Sequence, residues 1–175
     1  MKRSFGTWQL LGYGVTVLSG TLLHFLYEWL GESPWIAAFS GVNESTWEHM
    51  KLLFWPLFIY GIIESFFFKD KAGFFGIKLR GTLLGLSLIP VIYYTYNGVI
   101  GKSPDFVNIA IFFISAAISY IYETVLFCRH KKYIISQRAA ISILLILALL
   151  FVIFTFKTPH LGIFRDPVTG VYGIQ

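Results

Sequence analysis

The sequence predicts an all-α fold: an integral membrane helical bundle of five transmembrane helices. Three observations carry that prediction. Of the 175 residues, 56% are hydrophobic and 13% charged, which leaves a water-soluble fold short of polar surface. The apolar residues fall into long runs, each able to cross about 30 Å of hydrocarbon as a helix. Lys and Arg then collect on alternate connections, the pattern of a multi-pass chain. The runs are continuous rather than alternating, which excludes a membrane barrel. No soluble domain or low-complexity linker interrupts them, so residues 1–175 read as a single transmembrane helical domain.

The first span, about 8–30, begins like a signal peptide after Lys2 and Arg3. Its apolar part is too long for one and no A-x-A-like site follows, so it is expected to remain an uncleaved span. Gln9, Tyr13, Thr16, Gly20, His24 and Glu28 recur every three or four residues and share one helix face. The second span, about 46–68, opens on Asn43-Glu44-Ser45-Thr46-Trp47-Glu48-His49-Met50-Lys51. Ser45 to Glu48 fits the S-x-x-E capping box, with Asn43 as an alternative cap. The third span, about 76–98, carries Gly81 and Gly85 at GxxxG spacing, and the fourth, about 105–128, carries Ser115 and Ser119. Both pairs point to close helix packing within one bundle. Pro56 and Pro90 fall inside spans two and three and are expected to kink them. The fifth span, about 138–157, is broken by Pro159. The remaining tail, 158–175, is too apolar to float in water and is expected to fold back over the bundle mouth.

Charge sets direction. Lys2, Arg3, Lys69, Lys71, Lys78, Arg80, Arg129, Lys131, Lys132 and Arg138 are ten of the fourteen Lys and Arg, and all fall on one side. That side is expected to be cytoplasmic, with the N-terminus inside and the C-terminal tail on the outer face. The expected location is a bacterial cytoplasmic membrane. Trp29, Trp35, Trp47 and Trp55 then form an outer aromatic belt. His24, His49 and His160 gather on the outer side with most of the carboxylates, whereas His130 lies in a basic inner loop. Glu64 and Glu123, toward the inner ends of their spans, are expected to pair with Arg80, Arg138 or loop lysines.

A cap and a salt bridge account for Asn43, Ser45 and Glu48. They account less well for His49, Glu44 and Lys51. A polar site shared with the first span accounts for those, with His24, His49, His160 and Asp166 as candidate metal ligands. Glu48 or Glu44 would serve as the catalytic carboxylate, and Glu28, Asn43, Lys51 and Arg165 complete the polar cluster. A divalent metal such as zinc suits that donor set. No H-E-x-x-H is present, and the single cysteine, Cys128, excludes an internal disulfide and any four-Cys zinc site.

The stretches Ser40-Gly41-Val42-Asn43-Glu44-Ser45-Thr46-Trp47-Glu48-His49 and Pro159-His160…Phe164-Arg165-Asp166-Pro167-Val168-Thr169-Gly170 carry a resemblance. In these the chain resembles an uncharacterised family of small bacterial multi-pass membrane proteins, a domain of unknown function. The resemblance implies a compact inner-membrane bundle and no particular activity.

Three functions fit these residues. The first is a metal-binding or acid–base enzyme acting on a lipid or lipid-linked substrate from the outer leaflet. The second is a small proton- or cation-coupled transporter or permeation module, which with five spans needs a homo-oligomer. The third is a non-catalytic membrane accessory protein, whose polar cluster only fixes helix ends and tail. The bilayer is the expected partner in all three, and no nucleic-acid motif is present.

Overall fold

The computed structural model describes residues 2–68, 73–129 and 135–174. Lys69, Asp70, Lys71, His130, Lys131 and Lys132 lie outside the described residues, as do the side chains of Lys2 and Arg3.

Among the described residues the chain is helical, with no strand. The elements are α1 (Lys2–Trp29), α2 (Pro34–Ala37), α3 (Thr46–Phe68), α4 (Phe74–Val99), α5 (Asp105–Cys128) and α6 (Gln137–Phe156), followed by a 3-10 turn at Gly162–Phe164. All except α2 and the 3-10 turn are long and apolar enough to cross a membrane. Four of the predicted spans match to within two residues at each end. The first helix starts earlier than predicted, at Lys2. Hydropathy marks only the apolar part of that helix, and nothing in Lys2–Thr7 breaks the backbone ladder. The short α2 was not predicted; its signal is Ser33-Pro34, with proline in the first turn where no amide partner is needed.

The long helices alternate in direction, so their ends meet at two poles. At one pole lie the α1–α3 connection, the α4–α5 connection and the tail; this is called the cavity end below. At the opposite end α1 begins, α3 and α5 finish, and α4 and α6 begin. Leu53, Phe54, Leu57, Leu86, Phe112 and Ala116 fill the space between the helices. Leu10, Leu18, Phe66, Leu145, Ile146 and Leu149 are exposed on the outside.

The pairs of small residues pack α4 against α5, its most extensive neighbour. A Cβ at Gly81 would collide with Glu123, and one at Gly85 would collide with Ser119 Oγ. Ser119 Oγ donates to the Gly81 carbonyl at 3.0 Å, which satisfies a buried hydroxyl within the interface. Pro56 and Pro90 lie inside α3 and α4 as expected.

At the opposite end, the expected pairing of Glu64 and Glu123 with a basic residue of the inner side is made by a single lysine. They meet on Lys78, which sits one turn inside α4 and is buried. Lys78 had been counted among the inner-loop cations because it stands close to Lys69 and Lys71 in sequence. The helix begins at Phe74 and carries it inward instead.

The tail folds back over the cavity end. Phe164 is buried against Trp47 and Phe154, with ring centroids 4.7 and 5.6 Å apart. Asn43 Nδ2 donates to the Gly173 carbonyl at 2.9 Å, and Tyr94 Oη donates to the Gly162 carbonyl at 3.2 Å. Gly173 has φ +70°, and a Cβ there would press on Thr158 Oγ1 at 2.5 Å, so glycine is required on both counts.

Candidate functional site

Three segments meet at the cavity end: the last turns of α1, the connection leading into α3, and the first turn of α3. The connection is tied to α1 by backbone groups. Gly41 N–H donates to the Leu23 carbonyl at 3.2 Å, and Tyr27 N–H donates to Ser40 Oγ at 3.0 Å. Ser40 Oγ in turn donates to the Leu23 carbonyl. Farther on, Ser45 N–H donates to Asn43 Oδ1 at 2.9 Å, an Asx turn that reverses the chain before α3. Glu44 sits at the top of that turn, between the two helices.

Its carboxylate lies between two imidazoles. His24 Nε2 is 3.4 Å from Glu44 Oε1, and His49 Nε2 is 3.6 Å from Glu44 Oε2. One donor atom from each of the three residues falls within 4.8 Å of the others. His49 Nδ1 lies 3.0 Å from the Ser45 carbonyl. A carbonyl can only accept, so Nδ1 carries a hydrogen and donates to it, which turns Nε2 toward Glu44. A separation of 3.6 Å is long for a hydrogen bond. It is close to the roughly 3.4 Å edge of a tetrahedron whose metal–ligand bonds are about 2.1 Å.

The three residues form part of the wall of a cavity of about 610 Å³. Leu52, Ile109 and Phe112 make its apolar lining, and Lys102, Asp105 and Asn108 its polar rim. Pro167 and Val168 of the tail also line it. The rim is ordered by its own network: Ser103 N–H donates to Asn97 Oδ1 at 2.9 Å, and Ser103 Oγ donates to Asn108 Oδ1 at 2.8 Å. Asn97, Lys102, Ser103 and Asp105 were not among the predicted site residues. The turn Asn97-Gly98…Gly101-Lys102-Ser103-Pro104, which joins spans three and four on the same side, is the signal that could have found them.

The other predicted residues lie elsewhere. Glu48, offered as a catalytic carboxylate, is 3% exposed and is absent from the cavity wall. Its Oε2 pairs with Lys51 Nζ at 2.6 Å and accepts from Val42 N–H at 3.2 Å. Lys51, at 0% exposure, also donates to the Ala37 carbonyl at 2.8 Å and to Thr155 Oγ1 at 2.9 Å. The expected capping box is half formed. Glu48 N–H approaches Ser45 Oγ at 3.4 Å, but the Glu48 side chain caps Val42 and leaves the Ser45 amide to Asn43.

Glu28, one turn beyond His24, is exposed, and His24 takes Glu44 as its partner. His160 is exposed and stacks on Tyr172, with centroids 4.8 Å apart; it does not join the other imidazoles. Asp166 closes a turn of the tail. Its Oδ1 accepts from Val168 N–H at 2.7 Å and Thr169 N–H at 3.2 Å, and its Oδ2 lies 3.5 Å from Glu44 N. Burial alone would raise the pKa of this carboxyl, but the converging N–H groups hold it below the usual aspartate value. Asp166 therefore steadies the backbone that presents Glu44. Arg165 is exposed, with Nε donating to the Gly170 carbonyl at 3.3 Å.

Over residues 1–174 the chain matches the family described as Family of unknown function (DUF6512), and it belongs to that family. No curated protein and no solved structure matches it.

Proposed function

We propose that this DUF6512 member is a multi-pass protein of the bacterial cytoplasmic membrane that binds a divalent metal, such as zinc, at His24, Glu44 and His49. It uses that site on a lipid or lipid-linked substrate. The five long helices and their exposed apolar side chains support insertion in a bilayer. The excess of Lys and Arg on the connections opposite the cavity supports an extracytoplasmic cavity end.

One observation carries the metal reading: three donor atoms of ligand type converge within 4.8 Å at the wall of an amphipathic cavity. Three protein ligands are the usual complement of a catalytic zinc, which keeps a fourth position open and polarises a bound oxygen. The residues of this chain supply the rest. The Ser45 carbonyl fixes the His49 tautomer, and the Asn43 turn and Asp166 hold Glu44 between the rings. The apolar lining suits acyl or isoprenoid chains, and the Lys102 rim suits an anionic headgroup. Transport has less support: five spans are few for a monomeric carrier, so that reading needs an oligomer.

The test is the metal content of protein purified from membranes and exposed to limiting zinc. The expected result is one ion per chain, lost in His24→Ala and His49→Ala and kept in His160→Ala. Absence of bound metal from a folded wild-type protein overturns the reading and favours a structural role for the cluster.

A further inference from the structure

The cavity has a side as well as an end. α1 and α5 run antiparallel and pack closely as far as Gly20. A Cβ at Gly12 would collide with Tyr120, and one at Gly20 would collide with Phe112. Between those two points Thr16 Oγ1 and Tyr120 Oη share a hydrogen bond of 2.8 Å. The Leu52 carbonyl of α3 lies 3.1 Å from the same Cβ position on Gly20 and closes the space behind it. Gly20, Leu52 and Phe112 all line the cavity and form its floor.

Beyond that floor the cavity lies between the two helices. Thr21, His24 and Phe25 line it from α1, and Asn108 and Ile109 line it from α5. Three of these also face outward: Phe25 is 41% exposed, Ile109 is 56% exposed, and Thr21 is exposed too. A residue that lines a cavity and also faces outward marks its opening, so the cavity opens sideways between α1 and α5. The Thr21 hydroxyl donates to the Val17 carbonyl of its own helix at 2.8 Å and brings no unspent donor to the gap. Leu22 on α1 and Phe106 on α5 are exposed as well, so the surface beside the opening is apolar.

Depth decides what reaches such an opening. Thr21 lies about 12 Å along the axis from the end of α1 at Trp29. The polar zone on each side of a bilayer is only about 5–8 Å thick. The gap therefore extends into the hydrocarbon, while Lys102 and Asp105 stay at the end of the bundle.

We infer, on the basis of the membrane and lipid-site reading above, that the gap between α1 and α5 is a lateral portal. One hydrocarbon chain of a bilayer lipid enters the cavity through it and rests on the Gly20–Phe112 floor, with the headgroup toward Lys102 and Ser103. His24 stands between Thr21 and Phe25 on one face of α1, so the chain passes His24, Glu44 and His49 as it enters. What it brings to those donors is the linkage between headgroup and chain.

Photo-crosslinking of the full chain tests this in phosphatidylcholine nanodiscs containing phosphatidylglycerol with a diazirine at mid-chain. Adducts are located by mass spectrometry. Leu52 and Ile89 line the cavity but are each only 3% exposed, so lipid outside the bundle does not reach them. The expected result is adducts on Leu52 or Ile89, together with adducts on the outward-facing Leu145 and Leu149 of α6. Ile109→Trp and Thr21→Trp fill the opening from either side at exposed positions. Each is expected to lose the wall adducts and keep those on α6. Ile114→Trp, exposed on α5 but outside the cavity, should keep both sets. The wall adducts should also persist in His49→Ala, so a failure of metal binding does not imitate a failure of the portal. Adducts on α6 with none on Leu52 or Ile89 overturn the portal and leave the metal site standing. Wall adducts that survive both tryptophan variants overturn the lateral route. A chain with no adduct on any outward face overturns the membrane reading and the portal with it.

Discussion

The two ends of the bundle each gather three ionisable side chains from different segments, and they treat them in opposite ways. At the cavity end one carboxylate stands between two imidazoles, beside an open volume of about 610 Å³. At the other end two carboxylates close on one ammonium with no exposure of either acid. The sealed cluster has its donors spent on its own acceptors, whereas the open cluster has donor atoms facing one another across gaps too long for good hydrogen bonds.

The same contrast recurs at the entry to α3, where Glu44 of the connection faces the cavity and Glu48 in the first turn is sealed against Lys51. Breaking the sealed pair should have the largest effect. Lys51→Met leaves Glu48 buried without its cation and is expected to cost about 3–5 kcal/mol in unfolding measurements in detergent. The double variant Lys51→Met with Glu48→Leu should recover most of that loss. If the single variant were as stable as wild type, the distinction between sealed and open charges would fail.

Gly85→Val tests the packing that seals the far end. The added side chain meets Ser119 Oγ, and the expected cost is about 1–3 kcal/mol in the same measurement. Asp166→Ala tests the bridge between tail and cavity. It removes acceptors for Val168 and Thr169 and should cost about 1–3 kcal/mol. The sign of the pH effect follows from the lowered carboxyl. Its folded value lies below its unfolded value of about 3.9, so its contribution is full above that pH. The contribution then falls away as pH drops through the folded value, and Asp166→Asn should flatten the acid limb of a stability profile. The smallest stability effect belongs to the open cluster: Glu44→Gln should shift unfolding by no more than about 0.5 kcal/mol while abolishing metal retention.

The helices were legible because a run of apolar residues and a cap are local signals, which is why Thr46–Phe68 and Asp105–Cys128 coincide with the predicted spans. His24 and His49 were legible as one site because both stand near the same pole. Glu44 was offered for that site, but its place between the two rings was not legible. Spacing along α1 names Glu28 as the neighbour of His24, but the connection delivers Glu44 from another segment, and no local rule reports the approach of two segments. His160 was drawn to the site by the expected return of the tail. The tail does return, yet its Gly170 and Gly173 turns place Phe164 and Pro167 toward the bundle and leave His160 on Tyr172. The burial of Lys78 was missed for a similar reason. A lysine four residues from a helix start looks exposed until the rotation of α4 against α3 and α5 is known.

The most direct measurement of the central claim is X-ray absorption at the zinc edge of protein loaded with one equivalent. A first shell with two imidazole nitrogens and carboxylate oxygen, reduced to one imidazole in His49→Ala, is the predicted result. A shell with no imidazole, or one containing the sulfur of Cys128, would contradict the assignment of His24, Glu44 and His49 as the metal site.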